Sequence, residues 1–439
     1  MEHYIFYCKL SLLAVLSLIT ACCMLSRRWY VNLAAFLACL SGETFLAYLF
    51  FPGYMLCPAA ASFIILFLSR IWDLSRTPAK GNGADPIRLP VRSGIRESRL
   101  EFYYHYSNFL VYGGAGSGKT KSIGKWLLSE YMRLGFAGFI YDFKDTDYTR
   151  TAYNLIKRHR YPHKFYYVSF DRPERSYRFN PLKVVRDRTE LIQLMEDVLL
   201  ALLPKKEQQN EWVAGGLGIL RGVAFRFWDE FPEHCTLPHI LAFIMTASAR
   251  QLSLFLQQNL VSEMLAGAYL KAEGSEKTQA SYLSTLCNNL ATISQNEEIA
   301  YVLSGDDFDF NLIDPENPKL FAVSNNFSKN SVYAPVISML MTISARQFSM
   351  QNRVPFVYFL DEMTTVNIKN FETLPSVLRE YKAAFILLTQ SGAKLENLYG
   401  KLDRSSVEAN FGNMFLGRTK DVEALKYYPL FFGKEEKER

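Results

Sequence analysis

Gly113-Gly114-Ala115-Gly116-Ser117-Gly118-Lys119-Thr120 has a spacing that dictates a chemistry. Glycines at these positions let consecutive backbone N–H groups converge on phosphate oxygens at the start of a helix. The Lys119 ammonium can reach β- and γ-phosphates, and the Thr120 hydroxyl can hold Mg²⁺. Phe109–Tyr112 ahead of the run reads as a short buried strand, and Lys121–Leu134 behind it as a helix. That is the strand–loop–helix context such a phosphate loop requires. Gly113 through Thr120 are therefore assigned to nucleotide binding, with ATP and Mg²⁺ as the expected ligands.

A second set of residues lies far downstream. Val357-Tyr358-Phe359-Leu360 is an apolar strand that ends in Asp361 and Glu362. Paired with the phosphate loop, Asp361 would hold Mg²⁺ through water, and Glu362 would polarise the attacking water. Without that loop, two acids at a strand end would equally describe a solvent-facing terminus. Gln390 ends another apolar strand, Ala384–Thr389, where an amide could sense the γ-phosphate or simply form a turn. Arg379 is either a surface charge paired with Glu380 or an arginine finger donated to a neighbouring subunit's ATP. The catalytic assignments are thus Lys119, Glu362, Arg379 and Gln390, and the metal assignments are Thr120 and Asp361. Leu303-Ser304-Gly305-Asp306 faintly matches the signature of transport ABC ATPases, but it lacks the second Gly and stands too far ahead of Asp361. Glu233-His234-Cys235 with His239 is half a metal site without a second half, whereas structural zinc takes four ligands. The seven cysteines contain no CxxC pair, so neither a disulfide framework nor a zinc ribbon is indicated.

The elements that must position these groups follow from composition and periodicity. The 439 residues allow two or three domains, and 49% hydrophobic with 15% aromatic residues excludes wholesale disorder. A net charge of +6 permits contact with nucleic acid or anionic lipid and argues for neither. Tyr4–Leu25, Trp29–Phe51 and Tyr54–Trp72 are apolar and close to the about 20 residues a membrane-crossing helix needs. Arg27 and Arg28, and the run Arg70, Arg76, Lys80, Arg88, Arg92, Arg96 and Arg99, should both face the cytoplasm. Three spans with an outside N-terminus satisfy both, which predicts a multi-pass membrane protein with a cytoplasmic nucleotide site. A signal peptide cleaved near Ile19–Cys22 would have a poor basic start and would export that site away from ATP. Lys9 and Glu43, inside the apolar stretches, are expected to face other helices or snorkel. Ser75–Pro86 is a Gly- and Pro-rich linker whose cations suit anionic headgroups, making membrane lipid an expected partner.

Phe136–Tyr141, Phe165–Phe170 and Leu320–Ser324 read as further strands. Between them the pattern turns helical: Leu191, Met195, Val198, Leu199 and Leu202 keep a helical period, as do Tyr282, Leu286, Leu290 and Ile293. Thr236-Leu237-Pro238 is a capped helix start. The expected organisation is an anchor at 1–74, a nucleotide-binding part at 75–182, an all-helical inserted domain at 183–300 and a second nucleotide-binding part at 301–439. The fold class is α/β, a parallel central sheet with an all-helical insertion and N-terminal transmembrane helices.

These residues resemble the type IV secretion coupling proteins, the TraG/TraD-like conjugative ATPases of the wider FtsK/HerA-like translocase group. The resemblance rests on the N-terminal spans, the phosphate loop, Tyr141-Asp142-Phe143-Lys144, Asn180-Pro181, the helical insertion, Leu360-Asp361-Glu362, and Arg379 ahead of Gln390-Ser391. Tyr399-Gly400 and Asn413–Arg418 also fit, and His3–Cys8 resembles the aromatic N-terminus of such proteins from Bacteroidota. It implies a RecA-like fold, a homo-hexameric ring with ATP at subunit interfaces, an arginine finger at Arg379, and single-stranded, relaxase-bound DNA passed to type IV secretion channel components. Asp145 stands where the family often has Gly, and family members usually continue beyond Lys434–Arg439, so a shortened chain is expected. The alternatives are a receptor for protein effectors that uses ATP as a conformational switch, and an FtsK-like chromosomal DNA pump, against which the helical insertion argues. Lys205, Lys206, Arg221 and Arg226 do not by themselves make a DNA track.

Overall fold

The computed structural model describes residues 85–429 except 94–95, 145, 204–207 and 209, together with 5–7, 9, 11, 44–46 and 48–50. The three apolar stretches (but for those few N-terminal positions), nearly all of the linker, Asp145, Lys205, Lys206 and Lys434–Arg439 lie outside the described residues. Among the described residues, no helix is long and apolar enough to cross a membrane. The chain divides into two units, residues 1–84 and 85–439. In the first, the described residues are helical, and the Lys9 ammonium lies 5.2 Å from the centre of the Phe50 ring.

Runs such as Phe356–Leu360 and Ala383–Thr389 are apolar without alternation because they are covered on both faces, as in parallel sheets flanked by helices. Seven strands form that sheet: β3 (Phe109–Tyr112), β4 (Ala137–Asp142), β5 (Lys164–Ser169), β6 (Lys319–Ser324), β7 (Phe356–Leu360), β8 (Ala383–Thr389) and β9 (Asn413–Leu416). Their order is β5-β6-β4-β7-β8-β3-β9, and every neighbouring pair is parallel. All seven strands therefore end on one edge. Ahead of them, β1 (Ile87–Ser93) and β2 (Arg96–Phe102) form an antiparallel hairpin. It is held to the rest of its unit by buried Ile87 and Leu89 and by the Arg88 N–H, which donates to Glu130 of the helix Lys125–Arg133 at 2.8 Å.

One face of the sheet, with Phe109, Val111, Ile140, Phe359, Ile386 and Leu388, packs on α1 (Lys125–Arg133) and α2 (Asp147–His159). The other face, with Phe139, Phe321, Tyr358 and Phe385, belongs to an apolar cluster that runs on into the helices between β5 and β6. In that stretch the described residues contain helices and turns and no strand. There α3 (Arg188–Ala201) and α4 (Glu211–Glu230) pack together, and α3 also packs on α11 (Asn330–Arg346), the helix after β6. The intervening helices are α5 (Leu237–Thr246), α6 (Ala249–Gln257), α7 (Leu260–Leu265), α8 (Gly267–Lys271), α9 (Glu276–Ser294) and α10 (Glu297–Leu303). The Gly-rich face of α4 permits close approach: a Cβ at Gly215 would stand 2.2 Å from the Tyr282 ring of α9. At the start of α5, Thr236 accepts from the His239 N–H, and His239 Nδ1 lies 2.7 Å from the same hydroxyl.

Asn108 fixes the strands around the nucleotide-loop strand at their opposite edge. Its buried amide donates to Pro375 O (3.1 Å) and Asn410 O (3.0 Å) and accepts from the Phe385 N–H (2.9 Å). Removing it strands three buried backbone groups, each costing about 1–3 kcal/mol in part. Asn108→Ala is expected to lower stability by about 2–4 kcal/mol in urea titration. A change within a few tenths would show that the amide does not hold this edge.

Candidate functional site

The phosphate-loop geometry is set by the strands on either side of it. Tyr112, the last residue of β3, is in register with Thr389 of β8 and Leu416 of β9. Just beyond, the Gly113 N–H donates to Thr389 O (3.3 Å), the Gly417 N–H to Tyr112 O (2.7 Å) and the Gly114 N–H to Arg418 O (3.0 Å). Both flanking strands thus hold the loop's first residues. Gly116 and Gly118 have φ of 70° and 89°, a region that side chains strain to adopt. The first turns after the loop, Lys119–Gly124, are wound wide, with the Lys125 N–H reaching Thr120 O. Such turns concentrate at functional sites. The Lys119 ammonium donates to Gly113 O and, at 3.3 Å, to Gly114 O. Its pKa is lowered, first by burial, so an anion placed there would relieve a real desolvation cost.

β7 delivers the carboxylates to the same edge. Asp361 is 2% exposed, and its Oδ2 has no hydrogen-bond partner. Burial foremost pushes its carboxyl up to about 7; the charges of Asp142 and Glu362 add to this, while Lys144 and Lys119 oppose it. Glu362 is 3% exposed and adopts φ 47°, a left-handed conformation unusual for a residue with a side chain. Its Oε2 accepts from Gln390 Nε2 at 3.3 Å and its Oε1 from Lys394 Nζ at 3.2 Å. Lys119, Asp361, Glu362 and Gln390 are thereby gathered. Arg379 is not among them. It is exposed in the last turn of α12 (Leu374–Glu380), ahead of β8, whereas Gln390 follows β8. The length of that strand, roughly 20 Å at the usual rise, separates Arg379 from the site of its own chain.

Four residues that motif reading did not assign to the site also stand here. Lys394 lies on α13 (Gly392–Tyr399) and pairs with Glu362. Tyr148 of α2 is fully buried, with its ring 4.6 Å from Phe359, and its hydroxyl lies where a Cβ at Gly124 would fall within 2.3 Å. Burial raises its phenol far above the ordinary value, and the Asp361 charge adds to the shift. Asp142 accepts from the N–H and hydroxyl of Thr149 through Oδ2 (2.8 and 3.0 Å), leaving Oδ1 without a partner. Lys144 is exposed and its charge reaches Asp361. Only Asp142 and Lys144 had a sequence signal, through the strand end Tyr141–Lys144. Lys394 and Tyr148 reach the site through helices whose placement no local pattern encodes.

The donor set fits a magnesium–nucleotide. Ser117 Oγ, Asp142 Oδ1, Asp361 Oδ2 and Thr389 Oγ1 are buried and unpartnered around this edge, where polar atoms are ordinarily satisfied, and the buried Tyr148 hydroxyl stands beside the Thr120 side chain. Hydroxyls can donate to phosphate, carboxylates can accept from metal-bound water, and the ammoniums of Lys119, Lys144 and Lys394 can offset phosphate charge. Asp361 then makes folding pH-dependent. Its carboxyl holds a proton more tightly folded than unfolded, so this stability is full below about pH 4 and is lost as pH rises through about 7. Asp361→Asn is expected to stabilise the nucleotide-free protein at pH 8, by about 4 kcal/mol at most, with the gain vanishing towards pH 4. Thermal unfolding at several pH values checks this; a gain independent of pH would contradict it.

The fold is shared with known proteins. The chain is similar to "Bacterial conjugative coupling protein TrwBdeltaN70" in its unbound form, at 16% identity and TM-score 0.57 over 79% of this chain and 74% of that one. It is similar to the plasmid coupling protein TrwB in complex with ADP and Mg²⁺ (16%, TM-score 0.57, covering 79% and 75%). The same holds for TrwB in complex with the non-hydrolysable ATP analogue ADPNP (16%, TM-score 0.58, covering 79% and 76%). At this identity the likeness establishes the fold. No curated protein matches in sequence. Residues 100–439 match the family model described as the type IV secretion-system coupling protein DNA-binding domain, and the chain belongs to that family.

Proposed function

We propose that this chain is an inner-membrane coupling ATPase of RecA-like fold that hydrolyses ATP to recruit relaxase-bound DNA and deliver it to a type IV secretion channel. The observation that carries this reading is the meeting of Lys119, Asp361 and the Gln390-bonded Glu362 at one strand edge, in a chain of the coupling-protein family. The three apolar stretches and their flanking arginines support a membrane anchor with the nucleotide site in the cytoplasm.

Gly113–Thr120 would cradle the phosphates of ATP, with Lys119 leaving the carbonyls of Gly113 and Gly114 for phosphate oxygens. Thr120 and Asp361 would hold Mg²⁺, which when bound supplies charge neutralisation for the departing diphosphate. Glu362 would accept the proton of the attacking water, and Gln390, already hydrogen-bonded to it, would register the γ-phosphate. Arg379 is exposed, with no ion-pair partner among the described residues, and too far along β8 to serve its own chain's site. That placement supports donation to a neighbouring subunit in a homo-hexamer.

A receptor that uses ATP only as a conformational signal is the second reading, favoured by the apolar core shared between the sheet and the helices after β5. Hydrolysis rates measured with and without single-stranded DNA separate the two. Stimulation supports the motor, and flat rates support the receptor.

Lys119→Ala is expected to abolish both nucleotide binding and DNA transfer from donor cells; unchanged transfer frequency would sink the motor reading. Glu362→Gln should bind ATP and hydrolyse it more slowly by about two orders of magnitude or more. Arg379→Ala subunits should be inactive alone yet regain turnover when mixed with Glu362→Gln subunits, because one supplies the base and the other the arginine. Absence of such complementation would place Arg379 outside catalysis.

A further inference from the structure

The Glu362 carboxylate has both oxygens engaged, one by the Gln390 amide and one by the Lys394 ammonium. A carboxylate so held has one lone pair on each oxygen turned to its donor, and departure of the ammonium opens Oε1 fully to water. Within the ion pair the Glu362 side chain is 3% exposed and the Lys394 side chain 43% exposed, so of these two it is the ammonium that can swing away through solvent. Lysine is suited to such movement, being a compact charge on a flexible four-carbon stem.

The root of that stem is fixed. A Cβ at Gly392 would fall 2.4 Å from the Arg404 guanidinium, which lies directly beneath the start of α13. Arg404 donates to Glu396 of the same helix (2.9 Å) and to Glu408 (3.0 Å). Glu408 in turn accepts from the Tyr112 hydroxyl (2.6 Å) at the strand end from which the phosphate loop departs. At the other end of α13, the Tyr399 hydroxyl accepts from the Ile368 N–H (3.2 Å), six residues past Glu362. Lys394 is therefore held in place relative to both the loop and the carboxylate, and its ammonium alone is free to choose between them. Its charge is also felt at Lys119, the residue aimed at the phosphates.

We infer that Lys394 is a partner-exchanging positioning residue: it holds the Glu362 carboxylate before ATP arrives and passes to the γ-phosphate when ATP binds, freeing Glu362 to act on water. This rests on the ATPase reading. A γ-phosphate carries more negative charge than one carboxylate and recruits the exposed ammonium. The same movement unblocks Glu362 Oε1. Water then attacks the γ-phosphorus as its bond to the bridging oxygen breaks. ADP leaves with that electron pair, and the water proton passes to Glu362. Lys394 keeps its protons throughout. ADP, lacking the γ-phosphate, leaves the Lys394–Glu362 pair intact, so only ATP arms the site.

The test compares two nucleotides and three proteins by calorimetry: ADP and the analogue ADPNP with the unsubstituted chain, Lys394→Ala and Lys394→Arg. Lys394→Ala is expected to weaken ADPNP binding about tenfold, the loss of one charge-assisted hydrogen bond, while ADP binding is unchanged and kcat falls. Lys394→Arg should restore the preference for ADPNP. If both nucleotides shift alike, or if Lys394→Ala hydrolyses as fast as or faster than the unsubstituted chain, the exchange is refuted. Binding by the unsubstituted chain keeps the two readings apart. Failure of the unsubstituted chain to bind either nucleotide rejects the ATPase reading itself, whereas tight binding of both without a Lys394-dependent difference rejects this inference alone.

Discussion

The parallel register of β3 between β8 and β9 is the constraint on which the site depends. It aligns Tyr112, Thr389 and Leu416, so that the N–H groups of Gly113, Gly114 and Gly417 just beyond donate to the carbonyls of Thr389, Arg418 and Tyr112. A glycine-rich loop left to itself has too much conformational freedom to hold several N–H groups on one anion. Here both neighbouring strands remove that freedom before a ligand arrives. Asn108, at the opposite end of β3, ties the same strands together through a single buried amide. The loop is thus anchored by contacts at both ends of a four-residue strand.

Burial sets the electrostatics that follow. Asp361, Asp142, Tyr148 and Lys119 have all been moved out of water without full compensation, and each is shifted in the direction that desolvation dictates. Such a cluster costs stability in the free protein and is offset when a cation and a polyanion enter together. The left-handed backbone of Glu362 belongs to the same economy, since strained residues persist where surrounding contacts over-determine them.

The segment that leaves Glu362 also joins the sheet to the helices between β5 and β6. Thr365 donates to Glu362 O (2.7 Å) and lies 2.6 Å from the Tyr141 hydroxyl, and the Ser338 hydroxyl donates to Asn367 O. Lys369 then pairs with Asp197 of α3 at 2.8 Å, and Asp197 is paired in turn with Arg346 of α11 at 2.7 Å. A nearly buried carboxylate between two cations makes this a junction of defined geometry. Together with the continuous apolar cluster, it mechanically links the helices to the residue expected to activate water.

The residue pattern alone determined the phosphate loop, the paired acids, the parallel α/β class and a helical stretch after the third sheet strand. Those depend on local spacing: glycines before a lysine, apolar runs ending in carboxylates, and a period of 3.6 against continuous strands. Tertiary structure decided which distant residues stand beside Asp361 and Glu362. Lys394 reaches Glu362 because α13 is seated on Arg404, and Tyr148 reaches Asp361 because α2 packs over Phe359. Arg379 falls away from its own site because a strand runs between it and Gln390. Contacts of this kind join residues tens to hundreds of positions apart, and their geometry comes from the packing of whole elements, which no window of sequence contains.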